Sequence, residues 1–184
     1  IIFTSSKTYD EIISLNNYLE IEFPFIVENG ACIFFPKNYT NISLNNNYFK
    51  YKKHIGFKIF KENLSLLEKK IKRLNERFKF RFYNEIDDKL LKKITNLNDE
   101  ELKKSRSRMF SNPIFWEDSE KKIKKFEKEI KDCGFEMYLG GRFIHLSRSY
   151  DKGKAIQQFL KIITKKKNQK FVTISLGDSN NDLK

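Results

Sequence analysis

Two aspartates stand four residues apart near the end of the chain, within residues 177–182 (GDSNND). Asp178 and Asp182 follow an apolar run, and the glycine before Asp178 allows the backbone to turn tightly. Carboxylate and amide oxygens at a strand end suit Mg²⁺, which prefers octahedral oxygen coordination and commonly shares its shell with a substrate phosphate. The alternative is a turn that caps a following helix, since Asp, Asn and Ser favour turns. These six residues leave both interpretations open.

A lysine and a serine form a second set of candidate residues, suited to phosphate. Lys152 lies in residues 151–155 (DKGKA), where a predicted helix begins, so a phosphoryl group there would meet an ammonium group and the positive end of the helix dipole. Ser5 follows the first predicted strand, and its hydroxyl could donate to a phosphate oxygen or N-cap the next helix. Taken singly, neither residue distinguishes a ligand site from an ordinary helix start.

Alternating strands and helices at both ends of the chain would position these side chains. The predicted strands are residues 1–4, 25–27, 31–35 and 171–176, and the predicted helices are residues 8–19 and 153–165. In open α/β sheets the chemistry gathers at the carboxyl ends of the strands. Ser5 and Asp178 both follow a predicted strand and so occupy that position.

An insertion of mixed helices and strands separates the two α/β ends. It begins with an Asn-rich stretch that has no periodicity and therefore predicts a boundary. Inside it, Asn98 and Glu101 have the spacing of a capping box that opens a helix. We predict an α/β core in two parts, residues 1–36 and 147–184, around an inserted α+β domain, residues 37–146.

The composition narrows the class of protein. The 184 residues include 37 Lys or Arg and 24 Asp or Glu, a formal charge of +13, and their 39% hydrophobic and 15% aromatic content argues against intrinsic disorder. No apolar run is long enough to cross a membrane, and two cysteines with two histidines make no disulfide framework or zinc motif. We expect a folded, cytoplasmic protein. Because the chain lacks an initiator Met and ends just after residues 177–182, we also expect an internal piece of a longer protein.

Most of the positive charge lies in the insertion, since residues 50–131 hold 25 Lys or Arg and 14 Asp or Glu. The lysines recur on the polar faces of predicted helices such as residues 119–132, which favours solvated surfaces. No zinc-finger spacing, RNP-type motif or basic zipper is present, so no nucleic-acid partner is expected. A non-catalytic, polyanion-binding protein stays as an alternative from another class, and steeply salt-dependent binding would identify it.

The order of these features resembles a known superfamily. A strand that ends in Ser or Thr, a later Lys at a helix start and a final GDxxND motif follow one another in this way in the haloacid dehalogenase-like (HAD) phosphohydrolases. Five blocks of sequence are similar, more narrowly, to the mannosyl-3-phosphoglycerate phosphatase family: residues 5–11, 25–31, 108–113, 140–145 and 151–155. The resemblance spans essentially the whole chain. It implies an α/β, Rossmann-like HAD core with an inserted α+β (C2B-type) cap domain after the third core strand.

The resemblance assigns roles to residues of the core. Ser5 would bind the transferring phosphoryl group, and Lys152 would neutralise charge on that group and on the nucleophile. Asp178 and Asp182 would be ligands of Mg²⁺, and Asn181 would complete the motif around metal and phosphate. These roles imply a Mg²⁺-dependent phosphoric monoester hydrolase.

The resemblance also implies that the inserted domain gives specificity for a small phosphorylated sugar-glycerate. Arg108, Ser111, Gly141, Arg142 and His145 would face the glycerate and sugar, since forked guanidinium groups suit carboxylate and phosphate. Two other interpretations stay open. Arg142 could pair with a surface carboxylate, and His145, on a predicted strand, could be a packing residue.

The sequence departs from the family in places. Asn112 and Asn180 stand where the family more often has Glu and Pro, which bears on fine specificity. The family's aspartate nucleophile and general acid/base lie on a strand upstream of Ser5, so these residues alone cannot run in-line attack through an aspartyl-phosphate. We predict part of an enzyme that hydrolyses mannosyl-3-phosphoglycerate to the compatible solute mannosylglycerate and phosphate. Glucosyl-3-phosphoglycerate or another sugar phosphate is the alternative substrate.

Overall fold

The computed structural model describes residues 1–39, 47–59, 64–148, 150–167, 171–174, 176 and 177. It divides into two compact units, the first made of Ile1–Lys61 and Tyr150–Lys184 and the second of Glu62–Ser149. The α-helices in the described part are α1 (Tyr9–Tyr18), α2 (Leu64–Lys72), α3 (Asp88–Thr95), α4 (Asp99–Arg106), α5 (Ile123–Asp132) and α6 (Lys152–Lys167). None of them is long and apolar enough to cross a bilayer.

A five-stranded mixed sheet forms the centre of the first unit. Its strands are β1 (Phe3–Thr4), β2 (Phe25–Val27), β3 (Cys32–Pro36), β4 (Tyr48–Tyr51) and β5 (His54–Lys58). They lie in the order β1-β2-β3-β5-β4, and β1 and β2 are parallel while the other neighbours are antiparallel. Helix α1 connects β1 to β2, which makes a parallel β-α-β unit at the start of the chain.

Helices pack on both faces of this sheet. Successive strand residues point to opposite sides, so each apolar strand supplies side chains to both faces. Ile26 and Ile33 lie on the face that packs against α6, together with Phe159 of that helix. Phe25 and Phe34, one residue away on the same strands, lie on the other face. There the ring of Tyr9 from α1 lies 5.6 Å from Phe25 and 4.7 Å from Phe34, between ring centroids.

A capping box begins α1 one residue after Thr8. The Thr8 hydroxyl accepts from the Glu11 N–H at 3.2 Å, and the Glu11 carboxylate accepts from the Thr8 N–H at 2.8 Å. Thr8 therefore caps this helix. Of the two roles that the sequence leaves open for the Ser5 hydroxyl, capping of α1 is thus performed by Thr8.

The limits of the first unit differ from the predicted ones. The prediction began the insertion at residue 37, whereas β4 and β5 belong to the sheet of the first unit. β5 pairs with all of β3, from Cys32↔Lys58 to Pro36↔His54. The change between units falls between residues 61 and 62, and the return between 149 and 150, instead of after residues 36 and 146. Strand pairing across an Asn-rich gap is non-local, so the local pattern gave no sign of it.

The second unit contains a four-stranded antiparallel sheet. Its strands are β6 (Phe80–Phe82), β7 (Ile114–Trp116), β8 (Glu136–Leu139) and β9 (Ile144–Ser147), in the order β6-β7-β9-β8. The Phe126 ring of α5 packs on one face, 5.3 Å from Phe80 and 4.9 Å from Trp116. The neighbouring residue Phe115 belongs to the opposite face and packs with Leu91 of α3 and other apolar residues.

Side chains at the helix ends fix α3 and α4. The predicted capping box of α4 is confirmed: Asn98 accepts from the Glu101 N–H at 3.0 Å, and Glu101 accepts from the Asn98 N–H at 2.9 Å. Arg106, the last residue of α4, donates to Asp88 at 2.6 Å and to the Ile86 carbonyl at 2.5 Å. The end of α4 is thereby tied to the start of α3.

The predicted strand over residues 171–176 is wrong for its described part. Residues 171–174 have no strand structure, and Val172, Ile174 and Leu176 are 96%, 88% and 96% exposed. An apolar run becomes a strand only when a neighbouring strand satisfies its backbone groups. In the described part of the chain, β1 is the last strand at its end of the sheet and pairs with β2 alone. The run is apolar, as the pattern indicates, but no strand among the described residues pairs with it.

The titration of His54 is expected to link the stability of the first unit to pH. The residue is 5% exposed, and its Nδ1 lies 2.8 Å from the Tyr9 hydroxyl. Burial raises the pKa of Tyr9 to about 12, so this phenol stays protonated and can donate to the imidazole. Burial lowers the pKa of His54, and nearby Glu22 opposes that effect without reversing it. Folding therefore favours the neutral imidazole.

We expect the intact protein to lose stability between about pH 8 and about pH 5, and to lose less of it after His54→Gln. The stability from a depressed imidazole pKa is complete above the unfolded value near 6.5 and is lost as the pH falls through the lower folded value. Thermal melting followed by circular dichroism at both pH values measures the two losses. Equal losses in the two proteins would contradict this role of His54.

Candidate active site

The turn that joins β2 to β3 holds the loop after β1. The Ser5 N–H donates to the Ile26 carbonyl at 3.1 Å, and the Ser5 carbonyl accepts from the Asn29 N–H at 3.0 Å. A further bond, from the Glu28 N–H to the Lys7 carbonyl at 3.0 Å, holds the other end of the loop. Within the loop, the Ser5 hydroxyl accepts from the Lys7 N–H at 3.2 Å. Ser5 is thereby fixed at the carboxyl end of β1.

Three successive residues of that turn have left-handed backbones. The φ angle is 50° at Glu28, 60° at Asn29 and 101° at Gly30. Asn and Gly adopt this region readily, whereas Glu does so at a cost in free energy. Glu28 is also fully buried. The turn is closed by the Ala31 N–H, which donates to the Val27 carbonyl at 3.1 Å.

Gly30 lies directly against the start of α6. A Cβ atom added to Gly30 would lie 2.2 Å from the Asp151 carbonyl oxygen and 3.0 Å from the Lys152 nitrogen. The Asp151 carboxylate accepts from the Lys154 N–H at 2.7 Å and so caps the first turn of the helix. One turn of the chain, residues 28–30, therefore contacts both the Ser5 loop and the helix start that carries Lys152.

This arrangement is chemically suited to bind a phosphoryl group. α6 is sixteen residues long, so its N-terminus carries a developed positive dipole end. Lys152 adds an ammonium group in the first turn, and Ser5 offers a hydroxyl at the carboxyl end of β1. An anion held between a helix N-terminus, a lysine and a hydroxyl meets donors from several directions.

The predicted metal ligands Asp178 and Asp182, and the predicted catalytic residue Asn181, lie outside the described residues. In the described part of the chain, no group of three or more His, Cys, Asp or Glu side chains could hold a metal ion. The carboxylate and amide groups of residues 178–182 are the donor set that Mg²⁺ prefers. The magnesium site is therefore a prediction from sequence.

Arg108 and Ser111 lie together in the loop between α4 and β7. The Arg108 Nε donates to the Ser111 hydroxyl at 3.2 Å, and the guanidinium carbon lies 5.8 Å from the centre of the Tyr83 ring. Ser111 is buried. Asn112, beside it, accepts from the Asn84 N–H at 3.2 Å and donates to Glu68 at 2.5 Å, so it helps to hold the loop.

Gly141 and Arg142 lie at the tip of the β8–β9 hairpin, and His145 lies on β9. The Arg142 Nη1 donates to the Thr95 carbonyl at 2.9 Å, a backbone acceptor at the end of α3 and not a surface carboxylate. His145 is half-buried opposite Tyr138 in the hairpin register. Its position is compatible with both packing and ligand contact.

Tyr83 connects these two groups and was missed by the sequence reasoning. Its ring lies 5.1 Å from the Phe143 ring, next to Arg142, and 5.8 Å from the Arg108 guanidinium. The buried Tyr83 hydroxyl lies 2.6 Å from the Ser105 hydroxyl, which fixes the ring. Tyr83 precedes Arg108 by 25 residues, and no spacing rule links positions so far apart. The only sign of Tyr83 in the sequence was its place directly after the alternating residues Phe80, Arg81 and Phe82.

Comparisons with known proteins identify the family and the fold of the chain. A family described as haloacid dehalogenase-like hydrolase matches residues 1–184. The glucosyl-3-phosphoglycerate/mannosyl-3-phosphoglycerate phosphatase of Persephonella marina is 33% identical over 188 residues, which cover 100% of this chain and 67% of that protein. The mannosyl-3-phosphoglycerate phosphatase of Pyrococcus furiosus is 29% identical, over 99% of this chain and 72% of its own length.

The likeness extends to a solved structure. A crystal structure from Thermoplasma acidophilum has a TM-score of 0.58 and 17% identity, and the match covers 89% of this chain and 56% of that one. At that identity the likeness concerns the fold alone. Together with the family match, it confirms the predicted α/β, HAD-like fold. The chain spans about two thirds of the relative from Persephonella marina and just over half of the solved chain.

We expect Gly140→Ala to destabilise the second unit by about 1–3 kcal/mol, because its added Cβ overpacks the hairpin. That Cβ would lie 2.9 Å from the Phe143 carbonyl oxygen and 3.1 Å from the His145 ring. Gly141→Ala is the matched control, since its Cβ would meet no atom within 4 Å. Urea unfolding of the intact proteins compares them, and equal destabilisation would contradict the geometry of the hairpin tip.

Proposed function

Because the chain belongs to the haloacid dehalogenase-like hydrolase family, we propose that it forms the phosphate-binding part of a Mg²⁺-dependent phosphatase. The observation that carries this proposal is the shared turn, which contacts both the Ser5 loop and the start of α6. A turn that contacts both segments can hold Ser5 and Lys152 at a fixed separation, which suits the binding of one phosphoryl group by both. The family and the phosphatases among the relatives support a phosphoric monoester hydrolase, as the sequence predicted.

In the proposed mechanism, the Ser5 hydroxyl donates to one phosphoryl oxygen and Lys152 neutralises charge on the others. A carboxylate nucleophile, which the family carries upstream of these residues, attacks phosphorus in line. The bond from phosphorus to the sugar-glycerate oxygen breaks as the family's general acid protonates that oxygen, and an aspartyl-phosphate forms; water then attacks its phosphorus, which releases phosphate and restores the carboxylate. Mg²⁺, held by Asp178 and Asp182 with Asn181 beside them, would supply positive charge next to the phosphoryl oxygens.

The proposed substrate is mannosyl-3-phosphoglycerate, hydrolysed in the cytoplasm to the compatible solute mannosylglycerate. Relatives from two Pyrococcus species carry the name of that phosphatase. Glucosyl-3-phosphoglycerate is the second candidate, because relatives from Persephonella marina and Methanococcoides burtonii are named for both sugars. Arg108, Ser111, Gly141, Arg142 and His145 of the second unit are the residues proposed to recognise the glycerate and sugar.

The intact protein should hydrolyse mannosyl-3-phosphoglycerate with a kcat/KM at least about 100-fold above that for phosphoglycerate or a simple hexose phosphate, since each lost polar contact in a matched site is costly. Phosphate release over a panel of these compounds, with glucosyl-3-phosphoglycerate included, measures the preference. A chelator should abolish turnover, and added Mg²⁺ should restore it. Equal rates across the panel would remove the specific assignment.

Lys152→Ala should lower kcat/KM by about 100-fold to 1000-fold, because a charged donor to the developing phosphoryl charge is lost. Lys154→Ala is the matched control from the same helical turn. Its ammonium lies 3.5 Å from Asp151 and is half exposed, so its loss should change kcat/KM by less than about threefold. Steady-state kinetics on the best substrate of the panel compares the two variants. An equal loss in both would show that Lys152 has no special role.

A further inference from the structure

The Glu28–Gly30 turn holds a glutamate in the left-handed region, which that residue type rarely adopts. Its three residues have φ angles of 50°, 60° and 101°, and the first of them is a fully buried glutamate. Unfavourable backbone conformations persist when the surrounding structure over-determines them, and they cluster at functional sites. The surroundings of this turn are the Ser5 loop on one side and the start of α6 on the other.

We propose that residues 28–30 are a positioning turn that sets the separation between the Ser5 loop and Lys152. This inference rests on the proposed function, in which both residues hold the same phosphoryl group. The turn makes no chemical contribution of its own. It acts through the two groups that it holds.

One arm of the positioning turn is made of hydrogen bonds. The Asn29 N–H donates to the Ser5 carbonyl and the Glu28 N–H donates to the Lys7 carbonyl, each at 3.0 Å. Both donors belong to residues with left-handed backbones. A residue that resists the left-handed region would turn at least one of these N–H groups away from the loop.

The other arm is a close approach of two backbones. The Asp151 carbonyl oxygen would lie 2.2 Å from a Cβ at position 30, whereas real Cβ atoms essentially never come within 3.0 Å of another heavy atom. Gly30→Ala must therefore increase the separation between the turn and the Asp151 carbonyl by about 3.0 − 2.2 = 0.8 Å. The Asp151 carbonyl also accepts from the Ala155 N–H at 3.0 Å, so this shift acts on the first turn of the helix.

The decisive experiment is a double-mutant cycle in the intact protein. Gly30→Ala should lower kcat on p-nitrophenyl phosphate by about 100-fold, since a displacement of about 1 Å in a catalytic group costs that much. In a Lys152→Ala background the same substitution should lower kcat by less than about threefold, because the group it displaces is already gone. A substitution that only weakens the fold would lower kcat equally in both backgrounds.

Gly134→Ala is the matched control for backbone strain. Gly134 also has a positive φ, 85°, but a Cβ there would meet its nearest atoms, in the Arg148 side chain, at 3.7 Å. It should destabilise the protein and leave kcat within about threefold of wild type. A loss of kcat like that of Gly30→Ala would assign the effect to strain in general and overturn the proposal.

A second pair of variants tests the hydrogen-bonded arm if Gly30→Ala does not fold. Asn29→Gly keeps the left-handed turn and should keep kcat within about threefold of wild type. Asn29→Val, which is β-branched, should lower kcat by about tenfold or more, and the loss should largely disappear in a Ser5→Ala background. Equal kcat values for the two Asn29 variants would overturn the proposal.

The same double-mutant cycles are repeated with the dissociation constant of inorganic phosphate, measured by calorimetry, in place of kcat. An inactive protein that binds phosphate, with Gly30 and Lys152 coupled in binding, would support the positioning turn and count against the proposed function. An active protein in which the effects of the Gly30 and Lys152 substitutions are additive would support the proposed function and count against the positioning turn. Absence of both turnover and phosphate binding in the wild-type protein would overturn both.

Discussion

The packing of Gly30 against the Asp151 backbone is the constraint on which the first unit depends. It joins two parts of the chain separated by 151 − 30 = 121 residues. Because this contact lies at the first turn of α6, it fixes where the helix begins on the sheet. The rest of the helix then follows at 1.5 Å per residue, which brings Phe159 to 5.9 Å from Phe35 between ring centroids. A larger residue at position 30 would shift every one of these contacts together.

The free energy of α6 packing explains how the strained turn persists. The left-handed backbone of Glu28 costs about 1–3 kcal/mol, and that of Asn29 costs less because asparagine adopts this region readily. Each large apolar side chain that is fully buried contributes about 1.5–3 kcal/mol. Ile33 and Phe35 are fully buried in the cluster that α6 covers. The burial of a few such side chains offsets the strain. The packing of α6 therefore keeps the turn in its left-handed conformation, and the turn fixes where the helix starts.

The sequence predicted the local features of the fold well. The Asn98 and Glu101 capping box and the helix α6 both depend on residues within a few positions of one another, where spacing rules hold. The features that it missed are non-local. The membership of β4 and β5 in the first sheet depends on β3, and the exposed run at residues 171–174 depends on a neighbouring strand.

The same difference between local and non-local features applies to the candidate site. The sequence proposes Ser5 and Lys152 because their residue types follow a motif order, but nothing in that order reveals the turn that contacts both of them. The glycine at position 30 reads as an ordinary turn residue in sequence. Its requirement comes from a backbone that arrives from the far end of the chain. Tyr83 is similar, since its contacts with Arg108 and Phe143 follow from packing and not from spacing.

The lysines of the second unit and its two arginines proposed to bind substrate have different surroundings. Many lysines of the second unit form exposed pairs with neighbouring carboxylates, such as Lys104 with Glu100 and Lys122 with Asp118. Such pairs contribute little stability and do not orient a ligand. The two arginines proposed to meet substrate differ, because Arg108 lies over an aromatic ring and bonds Ser111, and Arg142 is held by a backbone carbonyl. A guanidinium fixed in this way presents its donors in one direction, which is the requirement for selecting a carboxylate and not merely attracting an anion.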